Sequence, residues 1–230
     1  MKKTKAAILL SGGKDSVYAF HKAIKKFEVN TAIIMLPKNP SSWMFHAINA
    51  KYAVYVAKAL GIKNIITKVT SGEKEKELDD LENVLARAKQ KHGIKTIITG
   101  AIASSYQKTR FEKVAKKLKL GLYAPMWKKD QYAYMKEVIK KVKFIIVGIF
   151  CEGIDKDYLG KVIEEKELAR LYEASRKYGF NISFEGGEAE TLAIDADFFK
   201  KRLKVYGKPK KLNDFEWVYE IKKVILEAKD

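Results

Sequence analysis

Cysteine is almost missing from this chain: Cys151 is the only one in 230 residues. That excludes an internal disulfide, a cysteine-built zinc site and a cysteine-ligated iron–sulfur cluster within one chain. Long apolar runs are missing too, and no stretch approaches a membrane span. The basic N-terminus, MKKTK, leads into an apolar stretch of only about five residues, too short for the core of a signal peptide. A cytoplasmic location with no membrane partner is therefore expected. Arginine is scarce: the 46 basic residues include only Arg87, Arg110, Arg170, Arg176 and Arg202, the rest being lysine. No arginine-rich cluster with interleaved aromatics, the usual mark of an RNA-binding face, is present. Dense lysine with abundant glutamate is also how heat-adapted proteins decorate their surfaces, and that thermophilic reading is preferred. The formal net charge of +18 and pI of about 9.6 admit a nucleic-acid contact without requiring one. There is no internal repeat and no low-complexity segment.

What is present is enough apolar sequence, 47%, for one large domain or two small ones. The most informative segment is Ser11-Gly12-Gly13-Lys14-Asp15-Ser16. It follows the apolar stretch at 6–10 and leads into a helical pattern with Val17, Phe20, Ile24 and Phe27 on one face. Two glycines allow a sharp turn and a close approach to a ligand, and the first N–H groups of the helix carry partial positive charge. An anion is the natural guest. Ser11 and Ser16 add hydroxyls, Lys14 a mobile cation, and Asp15 a carboxylate for an amine or a hydrated Mg2+. A Walker loop is excluded, because no glycine stands five residues before Gly13 and Asp15 follows Lys14. The string resembles the PP-loop, SGGxDS, of the N-type ATP pyrophosphatases, enzymes that cut ATP between the α and β phosphates.

Apolar strands at 31–36, 63–69, 96–102 and 143–150 alternate with helical patterns at 43–60, 73–91, 104–118 and 131–141. The alternation predicts an α/β fold: a parallel sheet with helices on both faces and ligands at the carboxyl ends of its strands. Beyond residue 150 the rhythm changes to one helix, short extended pieces and the alternation Phe215, Trp217, Tyr219, Ile221. The expected division is a nucleotide domain at 1–150 and a smaller α+β domain at 151–230.

Several constellations are candidates for chemistry. His46, at the start of the second helix, falls near the glycine-loop edge, whereas His21 and His92 read as surface residues. The segment Gly100-Ala101-Ile102-Ala103-Ser104-Ser105-Tyr106-Gln107-Lys108-Thr109-Arg110 joins a strand to a helix. Gly100 would let a base or ribose pack on the backbone, and Tyr106, Gln107 and Arg110 share a helix face. The planar fork of Arg110 suits a carboxylate or phosphate, with a surface ion pair to Glu112 or a neighbour as the plainer reading. Trp127 reads as core and Asp130 as a helix cap. Glu185-Gly186-Gly187-Glu188-Ala189-Glu190-Thr191 places two glycines among three carboxylates in a strongly basic protein. That turn suits a cationic substrate group, or serves simply as a hairpin.

Taken together, SGGKDS, MFH, GAIASSYQKTR, APMWKKDQ and EGGEAET resemble the diphthine–ammonia ligase family across nearly the whole chain. The resemblance implies a HUP-type nucleotide domain and a smaller substrate-recognition domain. It also implies ATP with Mg2+ as cofactors, and amidation of diphthine on translation elongation factor 2 by ammonia, with release of AMP and pyrophosphate. On that reading Ser11, Gly12, Gly13, Lys14, Asp15 and Ser16 hold the phosphates, with Lys14 and Asp15 catalytic and Asp15 the metal ligand. His46, Gly100, Ala101, Tyr106, Gln107 and Arg110 line the nucleotide. Glu185, Gly186, Gly187, Glu188, Glu190 and Thr191 face the modified side chain. The family's frequent tyrosine after EGGE is Ala189 here. A homodimer is compatible with this reading. The remaining alternatives are a tRNA-modifying PP-loop enzyme and a regulator that holds ATP without turnover.

Overall fold

The computed structural model describes residues 2–38, 50–70, 73, 76–100, 105–127 and 129–229, with 105–107 described as backbone alone. Strand β1 (Thr4–Leu9) leads through the glycine loop into helix α1 (Lys14–Ala23), and β2 (Phe27–Pro37) follows. Then come α2 (Ala53–Ala59), β3 (Asn64–Thr70), α3 (Lys76–His92), β4 (Thr96–Ile98), α4 (Ser105–Lys117) and β5 (Gly121–Tyr123). These five strands form one sheet in the order β3-β2-β1-β4-β5, and every neighbouring pair is parallel. The expected α/β class is correct.

Period-two alternation along β1 explains why its sequence is apolar without interruption. Ala6 and Ile8 face a core shared with α1 and α2, whereas Ala7 packs with Leu81 and Leu85 of α3 and Phe111 and Val114 of α4. The strand order reverses at β1. The crevice between the carboxyl ends of β1 and β4 is the topological switch point, where ligands settle in open α/β sheets.

Helix α5 (Gln131–Ile139), β6 (Val142–Ile149), α6 (Glu165–Tyr178), β7 (Ala189–Ala196), β8 (Lys201–Lys211) and β9 (Trp217–Ala228) complete the chain. The last four strands form a second, antiparallel sheet in the order β7-β6-β9-β8. Two sequence expectations change here. The apolar strand at 143–150 is β6, a strand of the antiparallel sheet, so the change of sheet comes before residue 150. Burial on both faces makes a strand apolar whichever sheet it joins, which is why the pattern did not distinguish them. Phe27 opens β2, paired with Thr4, and is not on the helix face.

Helix α1 lies between the two sheets. Val17, Ala19, Phe20 and Ala23 belong to one continuous core with Ile8 of the first sheet and Phe144, Ile146, Leu192 and Ala193 of the second. Among the described residues no helix is long and apolar enough to cross a membrane.

Candidate active site

The glycine loop sits at the carboxyl end of β1, at the switch point. Gly12 has φ +84°, a left-handed conformation that a β-carbon disfavours, and it lies against Ala53 at the start of α2. Ser11 is exposed; its Oγ donates to Ser16 Oγ at 3.1 Å and accepts from the Gly13 N–H at 3.3 Å. Ser16 belongs to the same turn.

The second sheet completes the loop. Thr191 Oγ1 accepts the N–H of Lys14 at 3.2 Å, capping the first turn of α1, and Ala193 N–H donates to Gly12 O at 2.9 Å. Strand β7 therefore runs directly behind the loop, and Thr191, the last residue of EGGEAET, joins that segment to SGGKDS by a hydrogen bond. Thr191→Val keeps the side-chain volume but removes this acceptor. It should lower the unfolding free energy by about 1 kcal/mol in urea titration.

Lys14 is not the mobile cation expected from the sequence. It is 1% exposed. Its Nζ donates to Asp15 Oδ1 at 2.9 Å and Oδ2 at 2.8 Å, and to the backbone carbonyl of Ser183 at 2.7 Å. The turn that supplies this carbonyl is unusual. Phe184, buried, has φ +62°, a costly conformation for an aromatic residue, and its ring lies 5.4 Å from the Lys14 ammonium. Asn181 holds the turn by accepting the Ser183 N–H on Oδ1 and the Phe184 N–H on its backbone carbonyl.

Helix α5 closes the network from the other side. The Tyr134 hydroxyl donates to Asp15 Oδ1 at 2.6 Å, and Ser183 Oγ donates to Gln131 Oε1 at 3.0 Å. Burial pushes the Tyr134 phenol well above its usual range, and the Asp15 charge adds to the shift, so the group stays protonated as a donor. Asp130 caps α5 as expected, accepting the Ala133 N–H at 2.7 Å. Neither Tyr134 nor Ser183 stood out in the sequence. Their partners are 119 and 169 positions away, and no local pattern announces such a contact.

Gly100, at the end of β4, does meet the glycine loop, but its neighbour is the protein's own backbone. A β-carbon there would stand 2.7 Å from Ser16 N and 2.8 Å from Asp15 C. Tyr106, Gln107 and Arg110 lie on α4, which leaves from this edge. Glu112 pairs with Lys108 at 3.4 Å. Trp127 is only partly buried, with the Lys108 ammonium 4.4 Å from its ring, and is not the core residue it reads as. His46 and Ala101 lie outside the described residues.

In the acidic turn, Glu188 folds back on its own segment. Its Oε1 accepts the Asn181 N–H at 3.0 Å and its Oε2 the Gly186 N–H at 2.9 Å, so it closes the loop instead of presenting an open carboxylate. Gly187 has the left-handed φ of +87° that such a turn needs. Glu185 is partly exposed, and its charge contributes to the raised pKa of Tyr134, which places it in the electrostatic neighbourhood of Asp15. Glu190 pairs with Gly148 across β7 and β6. Nearby Cys151 is pushed up to about 11 by burial and by Glu188, so it is a neutral thiol at pH 7 and no nucleophile.

Comparison with known proteins identifies the family of the chain. The sequence matches the diphthamide synthase N-terminal domain over residues 4–122 and the diphthamide synthase C-terminal domain over residues 130–226. The diphthine–ammonia ligase of Mus musculus is 34% identical over 222 residues, covering 87% of this chain and 82% of its own. The Homo sapiens protein of the same name is 32% identical over 224 residues, covering 86% and 82%. That of Saccharomyces cerevisiae is 28% identical, and the match spans 84% of this chain but only 33% of the yeast protein. With both domain families matched in order along nearly its whole length, the chain belongs to the diphthamide synthase family.

Proposed function

We propose that this chain uses ATP to convert the carboxylate of diphthine, on translation elongation factor 2, into an amide. The observation that carries this reading is the direct joining of an ATP-type glycine loop to the acidic segment of the second sheet, through Thr191 and Ala193. Fuel and substrate would then meet on one surface.

The chemistry is balanced by two displacements. A substrate carboxylate oxygen attacks the α phosphorus, and the bond to the β-phosphate oxygen breaks, so pyrophosphate leaves. Ammonia then attacks the acyl carbon, AMP leaves, and the excess proton goes to solvent. Neither step needs a protein nucleophile. The protein's part is to orient reactants and to stabilise charge, with the positive end of α1 and the exposed Ser11 at the polyphosphate.

Mg2+, when bound, would neutralise the polyphosphate. Asp15 fits as a ligand: its side chain is 27% exposed, and the three hydrogen bonds it accepts leave roughly one of its four lone-pair sites, on Oδ2. Among the described residues no cluster of three or more His, Cys, Asp or Glu could hold a metal unaided, so phosphate and water oxygens must supply the remaining ligands. Lys14 acts here as a positioning residue that fixes Asp15 and the 181–184 turn. Glu185 is the carboxylate best placed to attract the trimethylammonium group of diphthine.

Two tests follow. With diphthine-bearing elongation factor and ammonium, turnover should yield AMP and pyrophosphate. Production of ADP, or turnover driven by tRNA in place of the factor, would contradict the reading. Tyr134→Phe should cost about 1.5–3 kcal/mol of stability, because it strips a hydrogen bond from a charged group. It should lower kcat with little change in the KM for the elongation factor, whereas Glu185→Gln should raise that KM and spare ATP binding.

A further inference from the structure

We propose that the tip of the β8–β9 hairpin is the docking element for the protein substrate, a surface offering an apolar pocket rimmed by carboxylates. This rests on the functional reading above, in which the carboxylate to be amidated sits on a folded protein and must be carried to the glycine loop.

The register of the second sheet places the tip. Trp217 pairs with Ile149, Ile149 with Ala189, and Lys211 with Trp217, so all four residues form one rung across β8, β9, β6 and β7. The hairpin tip, residues 212–216, leaves the sheet at the same edge from which the Glu185–Glu188 turn enters it. Two strand spacings, about 10 Å, separate Trp217 from Ala189. A protein seated on the tip would therefore lie over the acidic turn and the glycine loop behind it.

The tip is built to present apolar groups. Phe215 is 65% exposed and Leu212 50%. Neither side chain is needed to hold the turn, because Asn213 does so: its Oδ1 accepts the N–H groups of Phe215 and Glu216 at 3.1 and 2.9 Å, and its Nδ2 donates to Glu216 Oε2 at 2.7 Å. The Leu212 N–H donates to Glu216 O at 2.9 Å. An aromatic side chain held outward on an already ordered turn loses little entropy on burial, which is what an interface anchor requires.

Charge selects the partner. Strand β8 carries six cations and no carboxylate in its 11 residues; Arg202 and Lys204 pair with Glu227, Lys210 with Glu220 and Lys211 with Asp214, and Lys208 stands next to the tip outside these pairs. A carboxylate rim on the partner complements Lys208. Of the two exposed apolar side chains only Phe215 has a stacking face for a base, and Lys210 and Lys211 already pair with Glu220 and Asp214, so a protein surface fits better than RNA.

The test is amidation kinetics of the full-length protein with diphthine-bearing elongation factor, comparing wild type with Phe215→Ser/Leu212→Ser and with Lys208→Glu. The double variant should raise the KM for the factor about tenfold or more, with kcat, the KM for ATP and the thermal midpoint unchanged. Lys208→Glu should raise the same KM, and high salt should shrink the difference. An active wild type with an unchanged KM in both variants overturns the docking role and leaves the proposed function standing. A wild type inactive on the factor overturns that function and the docking role with it. An unchanged KM together with lost self-association, or lost RNA binding, assigns the tip to another occupant and also overturns the proposal.

Discussion

Replacing Lys14 by methionine should destabilise the protein by about 3–5 kcal/mol as well as abolish turnover. The stability loss is the distinguishing part. A lysine that merely reached into solvent for phosphate would cost the fold little when removed, and active-site substitutions of that kind are often neutral or stabilising. Here the ammonium is buried between both Asp15 oxygens and the Ser183 carbonyl. Its removal takes the ammonium from both Asp15 oxygens, leaving the carboxylate the Tyr134 hydroxyl, and takes the lysine donor from the buried Ser183 carbonyl. It also releases the 181–184 turn, where Phe184 holds its strained backbone. Urea unfolding read beside activity separates the two roles: full loss of turnover at wild-type stability would mean that Lys14 serves the phosphates alone.

The second large effect is expected at Gly100→Ala. The added methyl would meet backbone, Ser16 N and Asp15 C, at distances that β-carbons essentially never show. The first turn of α1 cannot yield easily, because Thr191 caps it and Ser16 Oγ donates to Gly13 O at 3.0 Å. Relief must come from moving β4 or the glycine loop, at a cost of about 1–3 kcal/mol. Displacing the loop should weaken ATP binding about tenfold or more, measured by isothermal titration, since helix N–H groups and hydroxyls lose their aim together. Wild-type affinity in Gly100→Ala would show that the loop tolerates displacement and would remove Gly100 from the site.

Much of the first sheet and its loop was legible because the signals are local. An uninterrupted apolar strand, the double glycine of SGGKDS and a helix start follow one another directly, and the structure keeps them in that order. Strand β6 shows the limit of such reading: its residues declare burial on both faces, but not which neighbours provide it, so the pattern alone places it in the parallel sheet. The site divides the same way. Ser11 to Ser16 and the acidic turn stood out as motifs, whereas Tyr134 and Ser183 did not, because what gives them a role is the fold that brings α5 and the 181–184 turn onto α1. The internal use of a charge is equally hidden. Lys14 and Glu188 looked like offered groups and are both folded inward, one on a carboxylate and a carbonyl, the other on two N–H groups.

If ATP cleavage at the glycine loop drives amide formation on a protein side chain held by the second sheet, nitrogen transfer and AMP release must be coupled one to one. The most direct measurement supplies isotopically labelled ammonium, ATP and diphthine-bearing elongation factor, then analyses the factor by peptide mass spectrometry and the nucleotides by chromatography. Labelled nitrogen is expected in the amide of the modified residue, with one AMP released for each amide formed. AMP without labelled amide, or label incorporated without AMP, would contradict it.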